Sequence, residues 1–388
     1  MNCLLLSLLA LLLATGVGSG QGVMMLEHLA GALEEVRVLA LEEKGMVLCE
    51  STTGARRSLP LDTILALRAL SVGQGGGKFS AAVELKGGSI LCGNVTRAEA
   101  DGFLLTTAHC GQLALSLDDV RCVRFAEATL PASSATDDLL VLQRGSRQDT
   151  LPGEVLSITQ DGVRFVSAAG ERVFHLNKDA VVGVVLREEA ESPARPLNPA
   201  RLVLKDGSVL HGDLLPAAAW SIRLTPSVTA LLQSESIQVL EPMSPRFQRL
   251  SDAALDLAEP QTLLDQGALP ALVRTEGLIG GVWRRALHLR APAKLGCKWA
   301  EGAQTFLARV AVDDEHLARG VQGAVQLCVR ADGAMLGEPI TLHTRTGSTT
   351  LRMAVPPGTK RLELEAGYVG GKVAGARCVI LEACMLRP

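Results

Sequence analysis

Phe306-Leu-Ala-Arg-Val-Ala-Val-Asp-Asp-Glu315 and Val325-Gln-Leu-Cys-Val-Arg-Ala-Asp-Gly333 are the two segments that indicate the architecture of this chain. In the first, apolar residues recur at every second position and stop at paired acids, as in a half-buried strand that runs out into a solvent loop. Alternation returns in the second, which ends in the Asp-Gly pair that a tight hairpin needs for positive backbone φ. Both segments predict antiparallel β structure.

Two further motifs flank these segments. Gly281-Val-Trp-Arg-Arg-Ala-Leu-His-Leu-Arg-Ala-Pro-Ala-Lys-Leu295 precedes them, and Lys360-Arg-Leu-Glu-Leu-Glu-Ala366 follows. In this order and spacing, residues 245–388 resemble the NPCBM family, carbohydrate-binding modules found beside some bacterial glycoside hydrolases. The resemblance implies a C-terminal β-sandwich of the jelly-roll type at 281–388, after a connector at 243–280. The residues that match the family are Leu287, Ala291, Pro292, Leu295, Asp313, Asp314, Asp332 and Gly333, and Trp283 stands at a position where the family has Tyr.

The departures from the family fall on groups that hold ligands. Ala286 and His288 replace two glycines, and Arg290 stands where the family has His. The family's closing segment of acids, His and Trp is replaced by Gly370-Gly-Lys-Val-Ala-Gly-Ala-Arg-Cys378. The resemblance therefore implies the fold more strongly than the ligand.

Five residues are candidates for ligand binding. Arg290 offers several donors to hydroxyl groups, and Trp299 and Tyr368 offer faces that stack on sugars, although Trp299 fits a core position equally well. Asp313 and Asp314 are clustered hard oxygens on a loop, which is a pattern that can bind calcium, but a solvated strand end is the favoured interpretation. No other cofactor is expected.

Residues 22–242 contain four copies of one pattern. Val83–Gly93 and Val203–Gly212 share Lys, Gly, Ser, Leu and a final Gly, and Gly153 lies at the corresponding place between them. Each copy carries about five short strands with Gly-bearing turns, which favours a small, strongly bent barrel that resembles the SH3 or Sm type. The copies are repeat 1 (22–72), repeat 2 (79–128), repeat 3 (137–188) and repeat 4 (200–242).

The N-terminal region predicts export. Residues 3–14 form an apolar run that is too short to span a bilayer, and small residues follow it, which favours a signal peptide at 1–20 over an uncleaved anchor. Past it, Leu26–Glu35 has the spacing of a short helix. We expect a periplasmic or extracellular bacterial protein without stable membrane insertion after signal cleavage.

Composition argues against nucleic acid as a partner and indicates the state of the cysteines. Aromatic residues make up only 3% of the chain, and the formal net charge is -3, so neither stacking rings nor a basic field favours nucleic acid. Eight cysteines follow the signal peptide, and most lie in apolar strands, where a free thiol behaves as a small hydrophobic group. We predict mostly free, buried thiols with room for one or two bridges.

The motifs that suggest catalysis or metal binding are each incomplete. Leu105-Thr-Thr-Ala-His-Cys110 resembles the His segment of trypsin-like proteases, but the companion Gly-Asp-Ser-Gly-Gly is missing from the sequence. Gly73-Gln-Gly-Gly-Gly-Lys-Phe79 lacks the spacing and the Ser or Thr of a phosphate-binding loop. The seven histidines have no zinc-ligand spacing.

The sequence thus predicts an exported, all-β, non-catalytic protein. Its first interpretation is carbohydrate binding or adhesion, with a glycan or a cell-envelope component as the partner. The alternative is a structural or protein-interaction scaffold of the envelope whose sandwich has lost sugar binding.

Overall fold

The computed structural model describes residues 23–70, 79–99, 101–134, 136–188, 198–216, 220–258, 272–279, 282–312, 324–343, 347–369 and 377–388. These residues form strands, turns and short 3-10 helices, which confirms the all-β prediction. Their helices are far too short and polar to cross a membrane. The chain divides into two compact units, unit 1 (residues up to Leu26 and Glu34–Met243) and unit 2 (Glu27–Leu33 and Ser244–Pro388).

The strands up to Pro242 fall into four consecutive sets of five, which we call sets 1 to 4. Three short 3-10 helices, Leu61–Thr63, Leu117–Asp119 and Ser234–Ser236, precede the fifth strand of sets 1, 2 and 4. The strands are β1 (Val23–His28), β2 (Leu33–Glu42), β3 (Met46–Ser51), β4 (Arg56–Pro60), β5 (Ile64–Ala69), β6 (Ala81–Leu85), β7 (Ile90–Glu99), β8 (Gly102–Thr107), β9 (Gln112–Ser116), β10 (Val120–Arg124), β11 (Asp138–Arg144), β12 (Arg147–Ile158), β13 (Gly162–Ser167), β14 (Gly170–His175), β15 (Val181–Val185), β16 (Pro199–Leu204), β17 (Val209–Leu215), β18 (Trp220–Arg223), β19 (Thr229–Leu232) and β20 (Ile237–Pro242).

Every set has the same strand pairing. The first four strands form an antiparallel meander, as β6, β7, β8 and β9 do in set 2. The fifth strand returns to pair with the first, as in β10 with β6, β15 with β11, β20 with β16, and β5 with β1. In sets 1 to 3 the second strand carries a register shift near its middle. The shift bends this strand, so that it can pair with the first strand along one half and with the third strand along the other half.

The recurring glycines have a common physical cause. A Cβ at Gly93 would lie 2.6 Å from the carbonyl oxygen of Thr106 on the neighbouring strand. A Cβ at Gly153 or Gly212 would lie closer still to the equivalent carbonyl oxygen. Only glycine permits this approach of two backbones, so its recurrence marks the same bend in three sets.

The sets join through equivalent strands. The fifth strands of sets 2 and 3 pair so that Val123 faces Val184, and those of sets 4 and 1 pair so that Leu240 faces Leu67. All four residues are the fourth of their strand and are fully buried. Both contacts therefore use the same edge of the fifth strand, and they use it in the same register.

A third contact joins sets 2 and 4. Val209 of set 4 pairs with Ile90 of set 2. The two residues are equivalent, because each lies three positions before the recurring glycine of its set, Gly212 or Gly93. Ser89 Oγ donates to the carbonyl oxygen of His211 and accepts from its backbone N–H, both at 2.9 Å, while Ser208 Oγ accepts from the N–H of Cys92 at 2.9 Å. The spatial order of the sets is thus 3, 2, 4, 1.

Unit 2 contains two six-stranded antiparallel sheets. Sheet I has the order β23, β24, β32, β26, β30, with β21 paired to β32, and sheet II has the order β22, β25, β31, β27, β28, with β29 paired to β27. Three of these strands, β21 to β23, come from the predicted connector. The strands are β21 (Phe247–Arg249), β22 (Leu255–Ala258), β23 (Leu272–Ile279), β24 (Val282–Arg290), β25 (Ala293–Lys298), β26 (Thr305–Val312), β27 (Ala324–Ala331), β28 (Ala334–Met335), β29 (Ile340–His343), β30 (Thr349–Ala354), β31 (Arg361–Tyr368) and β32 (Arg377–Leu386).

One apolar cluster fills the space between these sheets. Leu289, Phe306 and Ile380 contribute from sheet I, and Leu327 and Leu364 contribute from sheet II. The alternation that starts at Phe306 therefore points its apolar residues into this core, as the sequence predicts.

The helix predicted at Leu26–Glu35 is wrong. β1 ends at His28 and β2 begins at Leu33, with Gly31 in the turn at a φ of +86°. Glu27 is buried, and its carboxylate accepts hydrogen bonds from Arg284 at 2.7 Å and from Arg309 at 3.4 Å. These tertiary contacts outweigh a helical spacing that is less than three turns long.

Candidate functional site

Arg290 lies at the corner where the chain passes between the two sheets of unit 2. β24 ends at Arg290 in sheet I, and β25 begins at Ala293 in sheet II after a cis Ala291–Pro292 bond. Across sheet I, Arg290 is directly opposite Arg377, the first residue of β32. Arg290 follows the buried Leu289, and Arg377 precedes the buried Cys378. Because successive side chains of a strand point to opposite faces, both arginine side chains lie on the outer face of sheet I.

Tyr368 lies at the same end of the sandwich. It is the last residue of β31 and pairs with Val325 at the start of β27. Two residues before it, Ala366 pairs with Ala293, the residue that follows the corner. Its ring is half-buried and packs against the core cluster, so one part of it remains open to solvent.

The strand that leads to the predicted acids ends here too. Val312, the last residue of β26, pairs with Cys378, which follows Arg377. Asp313 and Asp314 lie outside the described residues. Among the residues that the structure describes, no group of three or more His, Cys, Asp or Glu side chains is arranged to hold a metal ion.

Trp299 lies at the opposite end of the sandwich. It follows β25, whose last residue Lys298 pairs with Arg361 at the beginning of β31. The side chain is only 5% exposed, and its Nε1 donates a hydrogen bond of 2.9 Å to the carbonyl oxygen of Ala303. Trp299 is therefore part of the core, and its ring has no free face for a ligand.

The predicted site residues thus separate into two groups. The fold brings Arg290 and Tyr368 to one end, together with Arg377, which sequence reasoning missed. The missing signal was the register, because Arg377 becomes a neighbour of Arg290 only when β32 pairs with β24. What this end offers is guanidinium donors and one aromatic ring, a combination that suits hydroxyl-rich or anionic ligands.

Sequence reasoning also missed a group of buried carboxylates. Glu241 in β20 lies beside Arg68 and Arg201, and Glu382 in β32 lies beside Arg249. Glu382 has a φ of +52°, occurs at a register shift between β26 and β32, and accepts a hydrogen bond of 3.1 Å from the backbone N–H of Arg285. The available signal was a single charged residue inside an otherwise apolar strand.

The buried thiols are unreactive at neutral pH. All eight cysteines after the predicted signal peptide are free, which confirms that most are unpaired. Burial raises the pKa of the Cys110 thiol to about 12, and burial raises the pKa of Cys49 to about 11. At neutral pH these groups are protonated, so they are poor nucleophiles and poor metal ligands.

No protein-family model matches the chain, and no curated protein matches it. Solved structures with partial similarity include several carbohydrate-binding modules, all at low identity. The CBM51-2 and INT domains of Clostridium perfringens ZmpB are 12% identical with a TM-score of 0.30, over 44% of this chain and 36% of that chain. CBM51 from Clostridium perfringens GH95, in complex with methyl-galactose, is 15% identical with a TM-score of 0.28, over 36% of this chain and 99% of that chain.

The tandem CBM51 modules of the family 98 glycoside hydrolase from Streptococcus pneumoniae are 10% identical, with a TM-score of 0.26, over 64% of this chain and 88% of that chain. The overlap with the first ZmpB structure amounts to about a third of that protein's length. Each superposition is partial, so the architecture of this chain is assigned from its own strand pairings.

Proposed function

We propose that unit 2 is a carbohydrate-binding module whose ligand site is the sandwich end formed by Arg290, Arg377 and Tyr368. The observation that carries the proposal is the strand register, which sets Arg290 opposite Arg377 in sheet I and places the half-buried Tyr368 of sheet II at the same end of the sandwich. Guanidinium N–H groups bind sugar hydroxyls as directed donors, and an aromatic ring packs against the apolar face of a pyranose.

The site is proposed to bind and not to catalyse. Glycoside hydrolysis uses a pair of carboxylates on either side of the scissile bond. The described side chains of the site are donors and an aromatic ring, which fit recognition of a sugar. This assignment predicts no turnover of any glycan that the protein retains.

Each five-strand set of unit 1 is proposed to be a small barrel of the SH3 or Sm type. The support is the return of the fifth strand to the first and the bend at the recurring glycine, both of which curve a short meander back on itself. Unit 1 then serves as a spacer or platform for the binding module.

Export is part of the same proposal, with residues 1–20 as a cleaved signal peptide and the envelope or the cell exterior as the destination. N-terminal sequencing of the protein recovered from each cell fraction tests it. Recovery of a full-length chain from the cytoplasm alone would contradict export without bearing on the ligand.

Glycan-array binding by the full chain tests the ligand site. We expect the wild-type chain to retain a subset of glycans, and Arg290→Ala or Tyr368→Ala to weaken that binding about tenfold or more, as the loss of one charged hydrogen bond or one stacking contact implies. Lys298→Ala is the matched control, because Lys298 is an exposed cation at the opposite end. Binding that is unaffected at Arg290 and Tyr368 would place the site elsewhere.

A second candidate function is a structural or protein-interaction scaffold. The observation that favours it is the position of Trp299, whose ring is in the core and cannot stack on a sugar. Capture of a protein partner from an envelope extract, together with a glycan array that stays negative with and without calcium, would support the scaffold and reject the first proposal.

A further inference from the structure

The fourth strand of each set is a sheet edge. Through the pairing of Val209 with Ile90, strands β9, β8, β7, β17, β18 and β19 follow one another as hydrogen-bonded neighbours. Within the described part of the chain, β19 pairs only with β18, and β9 pairs only with β8. An edge strand presents unpaired N–H and C=O groups that can pair with another strand.

Two of the four edge strands are protected by charge. β4 carries Arg56 and Arg57, which pair with Glu50 and Glu34. β14 carries Glu171 and Arg172, which pair with Arg164 and Asp179. Ion pairs along an edge disfavour the addition of a further strand, because that strand would desolvate them.

The edge of β19 lacks this protection. Its sequence is Thr229-Ala-Leu-Leu232, without charge or proline. Leu231 points outward and is 65% exposed, the highest value among the large apolar side chains that the structure describes. An uncharged edge with an outward leucine is a surface that favours β-strand addition.

Within the chain, contacts between sets are made by pairing equivalent strands. Its fifth strands pair with equivalent fifth strands at Val123 with Val184 and at Leu240 with Leu67. β17 pairs with the equivalent β7 at equivalent residues. All three are antiparallel contacts between like residues, which is the geometry of a two-fold interface.

We propose that β19 is a dimerisation edge, and that its partner is β19 of a second copy of this chain. Antiparallel pairing around Leu231 continues the sheet that already joins sets 2 and 4, and it brings the two exposed leucines together. Four residues bury far less than a standard interface, so the dimer is weak and concentration-dependent. A dimer carries two copies of unit 2, which raises the avidity for a repeated ligand.

Sedimentation velocity of the full chain, from low micromolar to near-millimolar concentration, tests this proposal. We expect reversible dimers, and Leu231→Lys is expected to weaken dimerisation more than about tenfold, because it removes an apolar contact and opposes two like charges. Val173→Lys is the matched control, since Val173 is a 48% exposed residue on β14, the charged fourth strand of set 3.

Three results would overturn the proposal: a wild-type chain that stays monomeric throughout, a Leu231→Lys dimer of unchanged strength, and equal weakening by Val173→Lys. Association that continues past the dimer and is blocked by Ala114→Lys on β9 would also overturn it, because β9 would then be the partner strand. Circular dichroism and thermal unfolding of each variant separate these outcomes from misfolding.

Discussion

Arg68 and Glu241 lie side by side in the buried pairing of β5 with β20, with 3.8 Å between Nη2 and Oε1 and side chains that are 0% and 1% exposed. Glu241 also accepts a hydrogen bond of 3.1 Å from Arg201 Nη1. The carboxylate thus joins the first set to the last, and it does so where water cannot screen the charges. Removal of one partner leaves an uncompensated charge in the core.

We expect Glu241→Gln to destabilise unit 1 by about 3 to 5 kcal/mol, because two buried guanidinium groups lose their counter-charge. Urea unfolding monitored by circular dichroism measures the change. Arg97→Ala is the control, since its pair with Glu99 is exposed and is worth less than about 1 kcal/mol. Similar losses for both variants would contradict the assigned role of burial.

Gly153→Ala is expected to cost more than about 2 kcal/mol, because its Cβ would overlap the carbonyl oxygen of Val166 and force β12 away from β13. Gly367→Ala is the control, since a Cβ there would come no nearer than 3.9 Å to Gln326. Denaturant unfolding of both variants gives the comparison. If Gly153→Ala is as stable as the wild type, close backbone approach does not explain the recurring glycines.

Ser89→Ala is expected to cost about 1 to 3 kcal/mol, because it leaves the backbone N–H and carbonyl of His211 without their partner at the contact of sets 2 and 4. Ser208→Ala removes one hydrogen bond and should cost less. Exposed Ser58 on β4 provides the neutral control. Equal stability of Ser89→Ala and Ser58→Ala would show that the serine contact contributes nothing.

The free energy of unfolding should fall as the pH rises above about 9. The usual thiol pKa is 9.0, and burial raises it to about 12 for Cys110 and to about 11 for Cys49 and Cys297. Between those values the unfolded chain loses thiol protons that the folded chain keeps, so unfolding becomes easier, whereas below pH 9 the contribution is complete and constant. Urea unfolding at several alkaline pH values measures this, and Cys110→Ala should show a shallower decline than the wild type.

Trp299→Phe separates structure from recognition. The variant loses the hydrogen bond to Ala303 and part of the core volume, so we expect a loss of about 1 to 3 kcal/mol in unit 2. Glycan binding should keep its wild-type affinity at a temperature where the variant is folded. A selective loss of binding would return Trp299 to the ligand site.

Local pattern predicts the strands well. The alternation from Phe306 to Val312 gives both the strand and its buried face, and the spacing of Gly93, Gly153 and Gly212 marks equivalent bends. Both signals come from neighbours along the chain, where strand geometry fixes which side chains share a face. The same reasoning fails at Leu26–Glu35, where the contacts of Glu27 with distant arginines determine the backbone.

Sequence does not predict which strands meet. Alternation shows that Trp299 and Arg290 both belong near β25, but it does not show that they lie at opposite ends of the sandwich. In the same way, the four apolar fifth strands of unit 1 carry no signal that β5 pairs with β20 and β10 with β15. Edge pairing depends on long-range register, which separate segments do not encode.

The order 3, 2, 4, 1 has a consequence for synthesis. Repeat 1 leaves the ribosome first. Its apolar strand β5 can pair with β1 of the same set, but the other edge of β5 is covered only after β20 has emerged, when most of unit 1 has been made. During that interval, one edge of the apolar strand Ile64–Ala69 is unpaired and prone to aggregation. Contacts of such long sequence separation also form slowly. Nascent chains that stall before Ile237 should therefore depend on chaperones to stay soluble.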